Sequence, residues 1–392
     1  MAERQRISIV SGTRPEIVKL APVYAALRAR PEIFEPTWIA TGQHASLADR
    51  AFADFHITPD MSVDLAVLPA DISQRVGATV AALGPALLKA DPHLVVVQGD
   101  TASALAGALA AAARGVPVAH VEAGLRSFDF YHPYPEESIR HLIAKLAYVH
   151  FAPTQRAAKN LLDEGHLPSR VHVTGNTVVD ALMSVLPNVP TWPRDVPAVS
   201  GISRVALVTT HRRESWGAQI DGIAQAVLSV VNQVTDIEVV LPFHPNPVVR
   251  QPLEAALGQH PRVHLTNPLG YMDFVSVLRR ATLVLTDSGG VQEEAATLGI
   301  PTLVMRKVTE RMEAVEAGVA RLVGTERAAI EREALRLLTN EAARQEMKRA
   351  GNPFGDGRAG ENIAALLARD LLKGRAGHQQ GKPGVTDRLT AS

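Results

Sequence analysis

Short runs of β-branched and aliphatic residues alternate along the whole chain with segments whose apolar positions recur at helical spacing. In the first half the strand-type runs are Ile7–Ser11, Thr37–Thr41, Leu94–Gln98, Pro117–Glu122, Val149–Pro153 and Val171–Thr174. In the second half they are Val205–Thr210, Val239–Phe243, Val263–Thr266, Thr282–Thr286, Thr302–Met305 and Arg321–Val323. An unbroken run such as Leu94-Val95-Val96-Val97 suits a strand covered on both faces. Strand, helix and strand in repeated succession predict an α/β protein with parallel sheets and helices on both sides. Because each half carries its own series, the pattern predicts two doubly wound, Rossmann-like domains.

Two stretches break the pattern. Pro187–Ser203 holds Pro187, Pro190, Pro193 and Pro197 without periodicity, which is linker composition. Beyond about Arg369 the chain turns polar and glycine-rich, and 373–392 is expected to be a disordered tail.

Length agrees with two domains of roughly 150–200 residues, since the chain has 392 residues, 46% of them apolar. Its 40 basic and 40 acidic residues balance, which argues against a nucleic-acid or membrane-surface partner. Cysteine is absent, so disulfides, thiolate metal sites and cysteine nucleophiles are excluded. No signal-peptide pattern opens the chain, and the small-apolar run Ala102 to Ala113 is too short to span a bilayer. A cytoplasmic protein is the expectation.

Ligands of open parallel sheets bind beyond the carboxyl ends of the strands, so the residues following each strand are the candidates. The first strand runs into Gly12-Thr13-Arg14-Pro15-Glu16. Gly12 permits close approach, and a helix start favours an anion that Arg14 and Lys19 could also contact. The same residues would equally make an ordinary strand-to-helix turn. Asp100 and Glu122 each follow a strand; Asp100 could merely cap the next helix, whereas Glu is a poor cap. Glu136-Glu137 stands at a helix start, where the dipole alone favours acids. In the second half, His211 with Arg212 and Arg213 follows a strand. Asp287-Ser288-Gly289-Gly290 is the strongest anion-site signal, two glycines at a helix start whose N–H groups can face a diphosphate. Glu294 could accept from ribose hydroxyls and Arg311 could add charge.

Some signals lead elsewhere. Gly355–Gly360 matches G-x-G-x-x-G but has no strand before it, so no nicotinamide site is inferred. There is no P-loop motif. The fourteen histidines show no metal-binding spacing, and no metal or other cofactor is expected.

Taken in order, several segments resemble the non-hydrolysing UDP-N-acetylglucosamine 2-epimerase family over about residues 6–370. They are Gly12–Lys19, Gly42–His44, Gln98–Thr101, His120–Arg126, Pro135–Glu137, Thr174–Thr177, His211–Glu214, Thr286–Gly290, Thr309–Arg311 and Asn352–Gly357. The resemblance implies a glycosyltransferase-B-type fold with a central cleft. Its domains would be 1–176, joined by the returning segment 355–372, and 177–354. It also implies a homodimer acting on a UDP-sugar, UDP being eliminated to leave 2-acetamidoglucal and then added back. By position, Asp100, Glu122 and Glu136 would be the acid and base carboxylates, and His211 would assist the departing diphosphate. Arg14, Lys19, Phe274, Ser288, Gly289, Gly290, Glu294 and Arg311 would hold UDP. Gln43, His44, Arg212 and His244 would belong to an activator pocket. Ser46, Leu269 and Met312 depart from the family pattern.

Overall fold

A computed structural model describes residues 3–42, 45–63, 65, 71–199, 201, 204–210, 212, 217–243 and 246–378. The expectations for Gln43, His44, His211 and His244 therefore lie outside the described residues.

The first sheet has seven strands in the order β3 (Met61–Ser62), β2 (Phe34–Ala40), β1 (Gln5–Ser11), β4 (Leu94–Gln98), β5 (Val118–Val121), β6 (Val149–Ala152) and β7 (Val171–Val173). The second has six, in the order β10 (Val263–Thr266), β9 (Ile237–Pro242), β8 (Arg204–Thr209), β11 (Ala281–Thr286), β12 (Thr302–Val304) and β13 (Ala320–Leu322). Among the described residues every pairing is parallel. Helices cover both faces of each sheet, and β4 is buried throughout. These are two Rossmann-like units. Each reverses its winding once, between β1 and β4 and between β8 and β11. Such switch points open the crevice in which doubly wound folds bind ligands.

The predicted runs all lie on strands, with ends shifted by a few residues. The shift is largest at β2, which starts at Phe34 and takes in Pro36. Pro36 pairs with Ile7 of β1, while β3 reaches only Ile39 and Ala40, so the proline's missing N–H falls where β2 has no outer neighbour. Strand β3 was not predicted, because two residues on a sheet edge make no run.

Residues 187–199 of the proline-rich stretch pack against the second unit. Val189 and Val196 are buried in the second unit's core, and Trp192 Nε1 donates to Val196 O at 3.2 Å. The start of the expected tail differs from the structure. The last helix, Ala359–His378, continues six residues into the segment expected to be disordered. Ala, Lys and Arg around the two glycines are good helix formers, and no proline stops the helix before Pro383.

That helix crosses to the first unit, where Ile363, Ala364 and Leu367 join the core beneath helix Arg14–Arg28. Gly360 lies against Pro22, where an added Cβ would stand 2.6 Å from the carbonyl oxygen. Deleting 374–392 is expected to leave thermal stability unchanged, since the buried anchors lie before it. Deleting from Asn352 removes Phe354, Ile363 and Leu367, all buried and worth about 1.5–3 kcal/mol each. Calorimetric melting of both truncations checks this, and equal melting temperatures would contradict it.

Candidate active site

The two switch points face each other, but their turns differ. In the first unit, Gly12 N and Thr13 N both donate to Glu16 Oε2, at 3.1 and 2.7 Å. Thr101 and Ser103 hydroxyls donate to its other oxygen at 2.7 and 2.9 Å. The amides of the turn that leads into this helix are thus taken by the chain's own carboxylate, as in a capping box. Gly12 serves packing, since a Cβ there would lie 2.3 Å from Thr41 Oγ1. Asp100 is not the cap of the following helix; Thr101 is, accepting from Ala104 N.

In the second unit the turn after β11 is open. Asp287 is fully buried and accepts from Thr210 Oγ1 and Arg212 N. Helix Gly289–Thr297 follows, with no side chain capping it. Its first amides have no intrahelical acceptor. An added Cβ at Gly290 would meet nothing within 4 Å, whereas one at Gly289 would lie 2.6 Å from Arg311 Cζ. Only Gly290 of the two therefore faces open space. Arg14 extends across from the first unit to donate to Leu269 O at 2.6 Å, beside Glu294 and Tyr271. Phe274 is buried in the second unit's core with Leu269 and Tyr271.

Between these turns lies a buried network of charges. Lys19 Nζ stands 2.8 Å from Glu122 and 2.8 Å from Glu293. Arg311 bonds Glu293 at 2.9 Å, Glu122 at 3.0 Å and Glu310. Arg140 holds Asp100 at 2.6 Å, Glu137 at 2.8 Å and Glu310 at 3.3 Å. Arg212 reaches Glu136 at 3.4 Å. Lys19–Glu293, Arg311–Glu122, Arg140–Glu310 and Arg212–Glu136 each join the two units. Lys19 and Arg311, expected as nucleotide contacts, thus hold carboxylates here. Glu122 takes φ 62°, a left-handed conformation that residues with a Cβ avoid and that concentrates at functional sites.

A family model described as UDP-N-acetylglucosamine 2-epimerase matches residues 25–368. The chain belongs to the UDP-N-acetylglucosamine 2-epimerase family. It is 42% identical to the enzyme of that name from Escherichia coli K12, over 94% of this chain and 99% of that one. A solved UDP-GlcNAc 2-epimerase from Neisseria meningitidis, bound to UDP-GlcNAc, superposes with a TM-score of 0.89 at 36% identity, covering 93% of this chain and 100% of that one. The fold reaches further, to a calicheamicin glycosyltransferase with a TM-score of 0.57 at 16% identity, covering 94% and 100% of the two chains.

In this epimerase-family site, neighbouring carboxyls are driven in opposite directions. Burial would raise Asp100, but the Arg140, Arg311 and Arg212 guanidiniums outweigh it and hold Asp100 below the usual range. Burial raises Glu136, and the charge of Asp100 raises it further. Glu136 Oε2 is shielded from solvent and has no hydrogen-bond partner among the described residues. Burial likewise lifts Glu294, against Arg14, to about 7. Glu137 is structural, accepting from Ser127 N, Phe128 N and Arg140.

His120 fixes the Gly99–Asp100 turn from β5, its Nε2 lying 2.8 Å from Gly99 O. On β6 it pairs with His150, whose ring meets His166 edge-on at 4.5 Å. Burial pushes His120 down to about 4 and His150, with His120 beside it, to about 3. Both are neutral in the fold but bind protons once unfolded, below about pH 6.5. Stability is therefore expected to be full above pH 6.5 and to fall as pH drops toward 4, by on the order of 3 kcal/mol per histidine. Urea unfolding from pH 7 to 4.5 checks this. His150→Phe should flatten the dependence, and an unchanged slope would refute the assignment.

Among the described residues, one cavity reaches the network at Glu310 and another lies beyond Glu313. The first, of about 250 Å³, is lined by Arg126, Lys307, Thr309 and Glu310, and the second, of about 640 Å³, by Thr154, Gly175, Glu313 and Asn352. Neither contains the candidate acids. No helix among the described residues is long and apolar enough to cross a membrane. Sequence reasoning missed Glu16, Arg140, Glu293 and Glu310. Only Glu16 left a local signal, the Thr13-x-x-Glu16 spacing of a capping box.

Proposed function

We propose that this chain interconverts UDP-N-acetylglucosamine and UDP-N-acetylmannosamine by eliminating UDP and adding it back through 2-acetamidoglucal. The observation that carries the reading is the pair Asp100 and Glu136. Their surroundings drive the two carboxyls apart, the arginines lowering Asp100 while burial and the charge of Asp100 raise Glu136, the divergence an acid–base pair uses. The proton on the carbon bearing the acetamido group is weakly acidic, so a positioned base must take it as the leaving group departs. In this reading Asp100 is that base, and Glu136 and Glu122 deliver or receive the proton on the other face. The unoccupied amides at Gly289 and Gly290, with Ser288, receive the diphosphate. Arg14, Phe274 and Glu294 flank the nucleoside. His211 would assist departure, and Lys19 and Arg311 would follow when the diphosphate competes with Glu122 and Glu293 for them. No cofactor is invoked for this elimination. The resemblance adds a homodimer and an activator pocket that includes Arg212, and the sequence reading adds a cytoplasmic location.

The test is incubation with UDP-N-acetylglucosamine alone in deuterium oxide. The C2 epimer should form with solvent deuterium at the inverted carbon, and traces of UDP and 2-acetamidoglucal should leak out. Product only when an acceptor sugar is added would point to glycosyl transfer. Retained hydrogen together with a requirement for NAD would overturn the elimination. Turnover confined to a modified UDP-sugar would change the substrate but not the chemistry.

A further inference from the structure

Glu310 has no part in the roles above, yet cations of both units end on it. It follows β12 and its side chain is wholly buried. Arg306 stands 2.9 Å from Oε2. Oε1 takes Arg311, Arg140 at 3.3 Å and Arg212 at 3.7 Å. Arg306 and Arg311 come from its own loop and would already compensate a buried carboxylate. The other two do something further, because each also holds one of the paired acids: Arg140 bonds Asp100 and Arg212 contacts Glu136. A shift of either guanidinium toward Glu310 takes it away from an acid.

We propose that Glu310 is a positioning residue, which divides Arg140 and Arg212 between itself and the Asp100–Glu136 pair and so sets which of the two acids carries the proton. The proposal rests on the functional reading above. Arg311, Arg140 and Arg306 overcome burial and keep Glu310 ionised. Among the described residues, the charged groups acting on Glu136 are Asp100 from the turn after β4, Arg212 from the turn after β8, and Arg140 from its own helix. With Glu310 neutral, Arg212 retains Glu136 as its carboxylate contact, and the cationic pull on Glu136 rises.

The test follows the Glu136 carboxyl by ¹³C resonance titration, assigned with Glu136→Gln, in the wild type, Glu310→Gln and Glu310→Asp. Glu310→Gln should lower the titration of Glu136 by about one pH unit, the scale of one nearby charge. The alkaline limb of kcat should move down equally, with kcat at pH 8 falling about tenfold and KM changing little. Glu310→Asp keeps the charge and should restore most of the shift. If Glu310→Gln does not fold, Arg212→Gln cuts the link from the partly exposed end and should raise the titration instead. A Glu136 titration that stays in place in the folded variant overturns the proposal, even if activity or stability is lost. The titration needs no substrate, so a wild type that fails to epimerise would refute the functional reading without deciding this one.

Discussion

Asp100→Asn should lower turnover by about two or more orders of magnitude, the usual scale for loss of a general base, while UDP still binds. The substitution preserves shape and removes the ability to accept a proton. Arg140 loses one partner but keeps Glu137 and Glu310, so no guanidinium is left buried without a carboxylate. The open helix start at Gly289 belongs to the other unit. Steady-state rates beside UDP calorimetry separate the outcomes. A fall of less than tenfold would remove Asp100 from the base role, and a parallel loss of UDP affinity would make it a nucleotide contact.

Gly290→Val should abolish UDP binding while the protein melts as the wild type does. A Cβ at that position strikes nothing, so the fold has no reason to suffer. The valine methyls would instead fill the space before the first amides of helix Gly289–Thr297, where a diphosphate would sit. Hydrogen bonds to a charged group are worth about 1.5–3 kcal/mol each, so losing two would weaken binding on the order of 100-fold or more. The neighbouring Gly289→Ala offers a contrast, because its Cβ would press into Arg311 and disturb the charge network. Unchanged UDP affinity in Gly290→Val would move the nucleotide elsewhere.

The strands were legible because burial on both faces demands apolar runs, and the turns were legible because ligands of this fold lie beyond strand ends. β3 escaped because Met61-Ser62 carries no pattern. The network was harder to see for a different reason. A charge on a helix or loop ordinarily reads as a solvated face, and nothing local marks Arg140 or Glu310 as buried. Their contact spans 170 residues of sequence, and Lys19–Glu293 spans 274. Lys19 and Arg311 were read as nucleotide cations, but in the structure they hold carboxylates. The glycine pair was read as one unit, although Gly289 backs an arginine and Gly290 faces the opening. Such differences are set by tertiary approach and cannot be read from spacing.

The occupied helix start at Glu16 gives the cleft a direction. A crevice between two similar sheets could present an anion berth on each wall, and a nucleotide sugar could then lie in it either way round. Here the turn on one wall is taken up by the Glu16 side chain, whereas the helix start on the other has no side-chain cap. The pseudo-symmetry of the two units is thereby broken at a single side chain. Under the proposed function, a diphosphate would then have one wall on which to settle.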